Sequence, residues 1–131
     1  MIFVDSGPFY ALYVPADQNH AIAVSWLQDN TQALVTTSFV VAEALTLLRA
    51  RKHFAQALAL SRRLRTTPFA RIEWVTQPDY EAAWSAFEKY RDKAWSFTDC
   101  TSRALIERLN IREAFAFDEH FRQFGIVTVV P

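Results

Sequence analysis

Glycine is almost absent: Gly7 and Gly125 are the only two among 131 residues. Neither a G-x-G-x-x-G turn nor a G-x-x-x-x-G-K-[ST] phosphate cradle can be written with them, which excludes dinucleotide-binding folds and Walker-type nucleotide hydrolases. Cysteine is scarcer still. Cys100 stands alone, so no intrachain disulfide can close and no cysteine pair exists to found a zinc knuckle. The three histidines, His20, His53 and His120, fall in no zinc-binding spacing. Long apolar runs are missing too: the uncharged stretch Asn30 to Ala42 is 13 residues and partly polar, short of the 18 or so that a membrane span needs. No basic segment precedes Asp5, as a secretory leader would require. These absences describe a soluble protein of a reducing, cytoplasmic compartment that makes no use of a membrane.

What is present is globular. Hydrophobic residues supply 51% and charged residues 21% of the chain, far from the disordered regime, and no repeat, low-complexity tract or linker divides it. A single domain over residues 1–131 is expected. Formal charge is zero, but unevenly spread. From Ala44 to Ile72 there are seven basic residues (Arg49, Arg51, Lys52, Arg62, Arg63, Arg65, Arg71) and no acids, so this segment carries +7 and the rest of the chain −7. Such a run is either a solvated helix surface or a binding face for an anion.

Short apolar or β-branched runs predict strands at Ile2 to Val4, Leu34 to Thr36, Ile72 to Val75, Phe115 to Phe117 and Ile126 to Val130. Helical patterns lie between them, at about His20 to Asp29, Phe39 to Ala50, Phe54 to Arg65 and Asp99 to Leu109. The clearest follows Pro78-Asp79, where Tyr80, Ala83, Trp84 and Phe87 recur at i, i+3, i+4 and i+7. The alternation predicts an α/β fold with a largely parallel five-stranded sheet between helical layers. In such sheets the functional crevice lies outside the carboxyl ends of the strands.

Four acids stand apart from the other charges. Asp5 is the only charged side chain from Met1 to Ala16, Glu43 the only one from Asn30 to Leu48, and Asp99 the only one from Ala94 to Ser102; Asp118 follows the apolar run Ala114 to Phe117. A carboxylate in apolar surroundings must find hydrogen bonds, an opposite charge or a metal, or take up a proton. Singly, each has a structural explanation. Asp5 suits an Asx turn, Asp99 a first helical turn, and Asp118 the cap of a short helix beginning Glu119-His120-Phe121. Glu43 is harder to place, because its neighbours leave almost no polar helix face. Asp5 and Asp118 are expected to end strands, and Glu43 and Asp99 to lie near helix starts, so all four would point at one edge of a parallel sheet. Four converging negative charges need a counter-ion, and an all-oxygen set is what Mg²⁺ or Mn²⁺ prefers.

These residues, in order, are Asp5-Ser6 after the first strand, Glu43 in an apolar helix, Ser96-Phe97-Thr98-Asp99-Cys100, and Ala116-Phe117-Asp118-Glu119-His120-Phe121. The set resembles a PIN domain, and the length resembles the VapC type of toxin from toxin–antitoxin pairs. The resemblance implies a PIN-like three-layer α/β/α sandwich and a ribonuclease in which Asp5, Glu43, Asp99 and Asp118 surround one or two Mg²⁺ or Mn²⁺ ions. It also implies a homodimer and a cognate antitoxin with a segment near the acidic pocket. Ser6 and Thr98 adjoin proposed ligands and are candidates to orient them. Arg49, Arg51, Lys52, Arg62, Arg63 and Arg65 are candidates for RNA phosphate contacts. Glu119 and His120 belong either to the site or to a helix surface. Cys100, beside Asp99, is a formal nucleophile, although a buried helical thiol is the commoner role. Two other classes are compatible with the pattern: a non-catalytic RNA-binding or interaction module on the same fold, and a receiver-like phospho-acceptor domain. The second lacks the paired acids after strand one and the lysine near the last strand that it requires.

Overall fold

The computed structural model describes all residues, 1–131. The elements in chain order are β1 (Ile2–Val4), α1 (Ser6–Tyr13), α2 (His20–Asp29), β2 (Leu34–Thr37), α3 (Ser38–Ala50), α4 (Phe54–Thr66), β3 (Arg71–Glu73), α5 (Gln77–Lys89), α6 (Phe97–Arg108), β4 (Glu113–Phe115), α7 (Glu119–Gln123) and β5 (Thr128–Val130). The strands form one sheet in the order β3-β2-β1-β4-β5, and all four neighbouring pairs are parallel. Receiver-like doubly wound sheets run 2-1-3-4-5. The order here is different, which removes that class.

The chain steps outward from β1 through β2 to β3, then returns to the other side of β1 for β4 and β5. The strand order therefore reverses between β1 and β4, where open α/β sheets place their ligands. Helices cover both faces. Val4 pairs with Phe115 and Phe3 with Ala114, so Phe3 and Phe115 point to opposite sides. Trp26 of α2 lies on Phe115 with ring centroids 4.0 Å apart, and Phe121 of α7 stacks on Phe3 at 5.8 Å. Ile2, Phe3, Val4, Val35, Ala114 and Phe115 are all buried, as residues covered from both sides must be.

Several boundaries differ from expectation. α1 was not anticipated by the apolar pattern; Pro8 falls in its first turn, where its missing N–H is harmless. Pairing in β4 covers Glu113–Phe115, not Phe115 to Phe117, so Asp118 stands three residues beyond the strand and caps α7. β3 ends at Glu73, leaving Trp74 outside the sheet and 72% exposed. On α5 the buried side is Asp79, Ala83 and Ala86, while Trp84 and Phe87 face outward. Helix α5 buries Ala83 and Ala86, and Phe97 of α6 lies against Tyr80 (4.8 Å) and Phe87 (5.8 Å), which leaves the outer sides of Trp84 and Phe87 uncovered.

Candidate metal centre at the carboxyl edge of the sheet

Asp5 follows β1 directly and its direction is fixed from both sides. Its own N–H donates to the Phe115 carbonyl at 3.1 Å, and the buried Thr36 hydroxyl donates to the Val4 carbonyl at 2.8 Å. The side chain is 6% exposed and makes no capping hydrogen bond to α1. Its carboxyl is pushed up from the ordinary range to about 8. Burial is the main cause; the charges of Asp99, Glu43 and Asp118 add to it, and the Ser6 amide opposes it. The three acids therefore act on Asp5 through space, although the chain between the first and last of the four spans more than a hundred residues.

Each of the other three is held by a hydrogen bond on one oxygen. Ser6 Oγ, at the start of α1, donates to Glu43 Oε1 at 2.5 Å. Asp99 completes a capping box at the start of α6: its N–H donates to Ser96 Oγ, and its Oδ2 accepts the Ser96 N–H at 2.9 Å. The same Oδ2 faces His120 Nδ1 at 2.8 Å. Asp118 Oδ1 accepts the His120 N–H at 2.9 Å and stands 3.3 Å from His120 Nδ1. Asp99, Glu43 and Asp118 all lie near enough for their charges to act on Asp5, but no three His, Cys, Asp or Glu groups adopt ligand geometry. The donor chemistry nevertheless fits a hard divalent cation: four carboxylates, each of the three outer ones secured through one oxygen, and a buried fourth left without a cationic partner.

Two further readings are decided by geometry. Cys100 is fully buried, and burial together with the Asp99 charge pushes its thiol up to about 11, the reverse of an activated nucleophile. Glu119 lies outside the pocket, 76% exposed, against Arg122 at 3.5 Å. His120, by contrast, faces two of the four acids. The sequence pattern had also given no reason to single out Asp79. It is 3% exposed, caps α5 through Thr76, and is gripped by Arg108 through Nε–Oδ1 at 2.8 Å and a second bond to Oδ2 at 3.0 Å.

The profile of the PIN domain matches residues 2–127. The chain belongs to the PIN-domain family. PIN domains are nucleases, which favours the enzyme over a non-catalytic module on the same fold. This PIN domain is 35% identical over 132 residues to the "23S rRNA-specific endonuclease VapC20" of Mycobacterium tuberculosis, covering 100% of the chain and 99% of the relative, in each of two strains. It superposes on the crystal structure of Mycobacterium tuberculosis VapC20, described as a "Sarcin-Ricin loop cleaving toxin", with a TM-score of 0.93, 31% identity and full coverage of both chains. FitAcB from Neisseria gonorrhoeae shares the fold, with a TM-score of 0.71 at 19% identity over 100% of this chain and 97% of the other.

Around the pocket of this PIN domain, the candidate supporting residues divide. Ser6 bonds Glu43, not the adjacent Asp5. Thr98 lines a groove of about 560 Å³ with Glu43, Phe39, Ala42, Thr46 and Leu47, and its hydroxyl engages none of the four acids. The basic residues divide as well. Arg49 and Arg51 lie at the far end of α3, over the rings of Phe54 (4.6 Å) and Tyr10 (5.2 Å). Arg63 packs over Phe69 at 3.6 Å. Leu64 and Thr67, beside Arg62, Arg63 and Arg65, share a hollow with Met1 and Ala33. Those two residues mark the amino ends of β1 and β2, so the end of α4 lies at the edge of the sheet away from Asp5. No helix is long and apolar enough to cross a membrane.

Proposed function

We propose that the chain is a divalent-metal-dependent endoribonuclease, the toxin of a toxin–antitoxin pair, and that its substrate is a structured loop of ribosomal RNA. The observation that carries this is the contrast between two buried acids. Asp79, with Arg108 against it, is held below the usual carboxylate range, although its burial works the other way. Asp5, more deeply desolvated, faces three more carboxylates and no cation, and its burial and then those charges push it up to about 8. A fold retains such an arrangement where a positive charge is to be supplied from outside. The likeness to the 23S rRNA-specific VapC20 over the whole length supports the substrate class.

Asp5, Glu43, Asp99 and Asp118 would hold Mg²⁺ or Mn²⁺. Such an ion, when bound, supplies water activation and charge stabilisation at the leaving oxygen of a phosphodiester. The chain's own residues orient: Ser6 turns one Glu43 oxygen away, and the Ser96 amide fixes Asp99 at the mouth of α6. Arg49, Arg51 and Lys52 would meet RNA phosphates beyond the α3 groove. That groove, apolar and ending on Glu43 and Thr98, suits a segment of a cognate antitoxin that presents a cation to the acids. The outward ring surfaces of Trp84 and Phe87, with Trp74 also exposed, support a homodimer. Such an enzyme works in the cytoplasm, where ribosomes are.

The test is incubation of purified ribosomes with the protein and Mg²⁺ or Mn²⁺. A discrete cut in 23S rRNA is expected, absent with EDTA and absent in Asp99→Asn. Undiminished cleavage by Asp99→Asn, or in EDTA, defeats the proposal.

A further inference from the structure

His120 is the only side chain shown to touch two of the four acids. Those two come from different elements: Asp99 from the first turn of α6 and Asp118 from the cap of α7. A carboxylate can only accept, so the ring atom facing Asp99 Oδ2 at 2.8 Å and Asp118 Oδ1 at 3.3 Å must be Nδ1 carrying its hydrogen, whatever the state of Nε2. The ring is not free to wander. Phe121, next in sequence, is fully buried and stacked on Phe3 of β1, and α7 is capped by Asp118 itself. The position of Nδ1 is thus referred to the same strand that delivers Asp5.

We propose that His120 is a positioning residue of the metal centre, its Nδ1–H tying Asp99 to Asp118. The tie secures Oδ2 of Asp99 and Oδ1 of Asp118 and leaves Oδ1 of the first and Oδ2 of the second to face a cation. Without it, two like charges on separate elements have no common donor and spread apart. This rests on the metal-centre reading above.

The test uses geometry to separate the ring nitrogens. An asparagine amide nitrogen reaches the place of Nδ1, and a glutamine amide nitrogen reaches that of Nε2. Mn²⁺ binding to RNA-free protein is measured by calorimetry for wild type, His120→Ala, His120→Asn and His120→Gln, with thermal unfolding as the fold control. Expected are a loss of about 10- to 100-fold in Mn²⁺ affinity for Ala and Gln, and affinity within a few-fold of wild type for Asn, with all four unfolding at similar temperatures. Wild-type affinity in His120→Ala overturns the inference. Rescue by Gln and not by Asn also overturns it, assigning the role to Nε2. Failure of wild type itself to bind Mn²⁺ strikes the metal-centre reading and not His120 alone.

Discussion

Ser6 and Glu43 are joined across the carboxyl edge of the sheet, Ser6 Oγ donating to Glu43 Oε1 at 2.5 Å. Glu43 lies in the second turn of α3 among Val40, Ala44 and Leu47, with no cation in reach of its carboxylate, so the hydroxyl is what sets its rotamer. Ser6→Ala is expected to weaken Mn²⁺ binding and RNA cleavage about tenfold, the lower end of the range for residues that orient a metal ligand. Unfolding should shift by no more than about 1 kcal/mol, the worth of one hydrogen bond. Cleavage at the wild-type rate by Ser6→Ala would show that Glu43 is placed by its helix alone.

Asp5 gives the metal-free protein an unusual pH dependence. Its carboxyl titrates at about 8 when folded and near 3.8 when unfolded. Between those values the folded state holds a proton that the unfolded state has released, so this group makes stability fall as pH rises from about 4 to about 8. At about 1.4 kcal/mol per pH unit over about four units, the upper bound is about 6 kcal/mol. Asp5→Asn, in EDTA, should therefore unfold at a higher temperature than wild type at pH 8, with the gap closing toward pH 4. Divalent metal should raise the wild-type midpoint more at pH 8 than at pH 6, because cation and proton compete. An Asn variant less stable than wild type at pH 8 would mean that the carboxylate is already satisfied.

The sequence pattern reaches further into the fold than into the site. β1, β2 and α2 to α5 follow from apolar periodicity and breakers. α1 escapes because Ser6-Gly7-Pro8 reads as a turn and Phe9 to Tyr13 is apolar on every side, without the polar face that reveals a helix. On α5 the period reports the helix but not which side is buried: Ala83 of the recurring set goes inside with Ala86, while Trp84 and Phe87 stay half-exposed. The Ser96-x-x-Asp99 spacing was legible as a capping box and would have placed the start of α6 two residues earlier. The lone acids stood out by their isolation. For His120 the sequence left site and helix surface both open, because its partner Asp99 is 21 residues upstream and only the tertiary fold brings them together.

Arg108 and Asp79 make a stability prediction independent of the metal. The pair joins α6 to α5 through two hydrogen bonds, and Asp79 is almost fully buried while Arg108 is half-exposed. Arg108→Ala strands the carboxylate with only its Thr76 contacts, at a cost of about 1–3 kcal/mol. The stability the pair gives is present above the ordinary aspartate range, and is lost as pH falls through the lowered Asp79 value. Denaturant midpoints of wild type and variant should therefore converge in acid and separate at neutral pH. An equal gap at all pH values would assign the loss to packing of the arginine stem.

The split of the basic segment between two edges predicts two separable effects on RNA. Arg49 and Arg51 adjoin Ala50, the last residue of α3 to line the groove that holds Glu43, whereas Arg62 and Arg65 lie at the end of α4, on the opposite edge of the sheet. A strand with its scissile phosphate at the acids reaches α3 within a few nucleotides; only a large folded RNA reaches around to α4. Arg49→Ala with Arg51→Ala should weaken binding of a short loop oligonucleotide and of intact 23S rRNA alike, and lower the salt slope of each by about 1–2. Arg62→Ala with Arg65→Ala should leave the oligonucleotide unchanged and lower the slope only for the large RNA. Filter binding across 50–300 mM salt, on the order used for such slopes, distinguishes them. Equal loss on the oligonucleotide from both pairs would place the α4 end in the reaction groove, and no loss from either pair would make the whole segment a solvated surface.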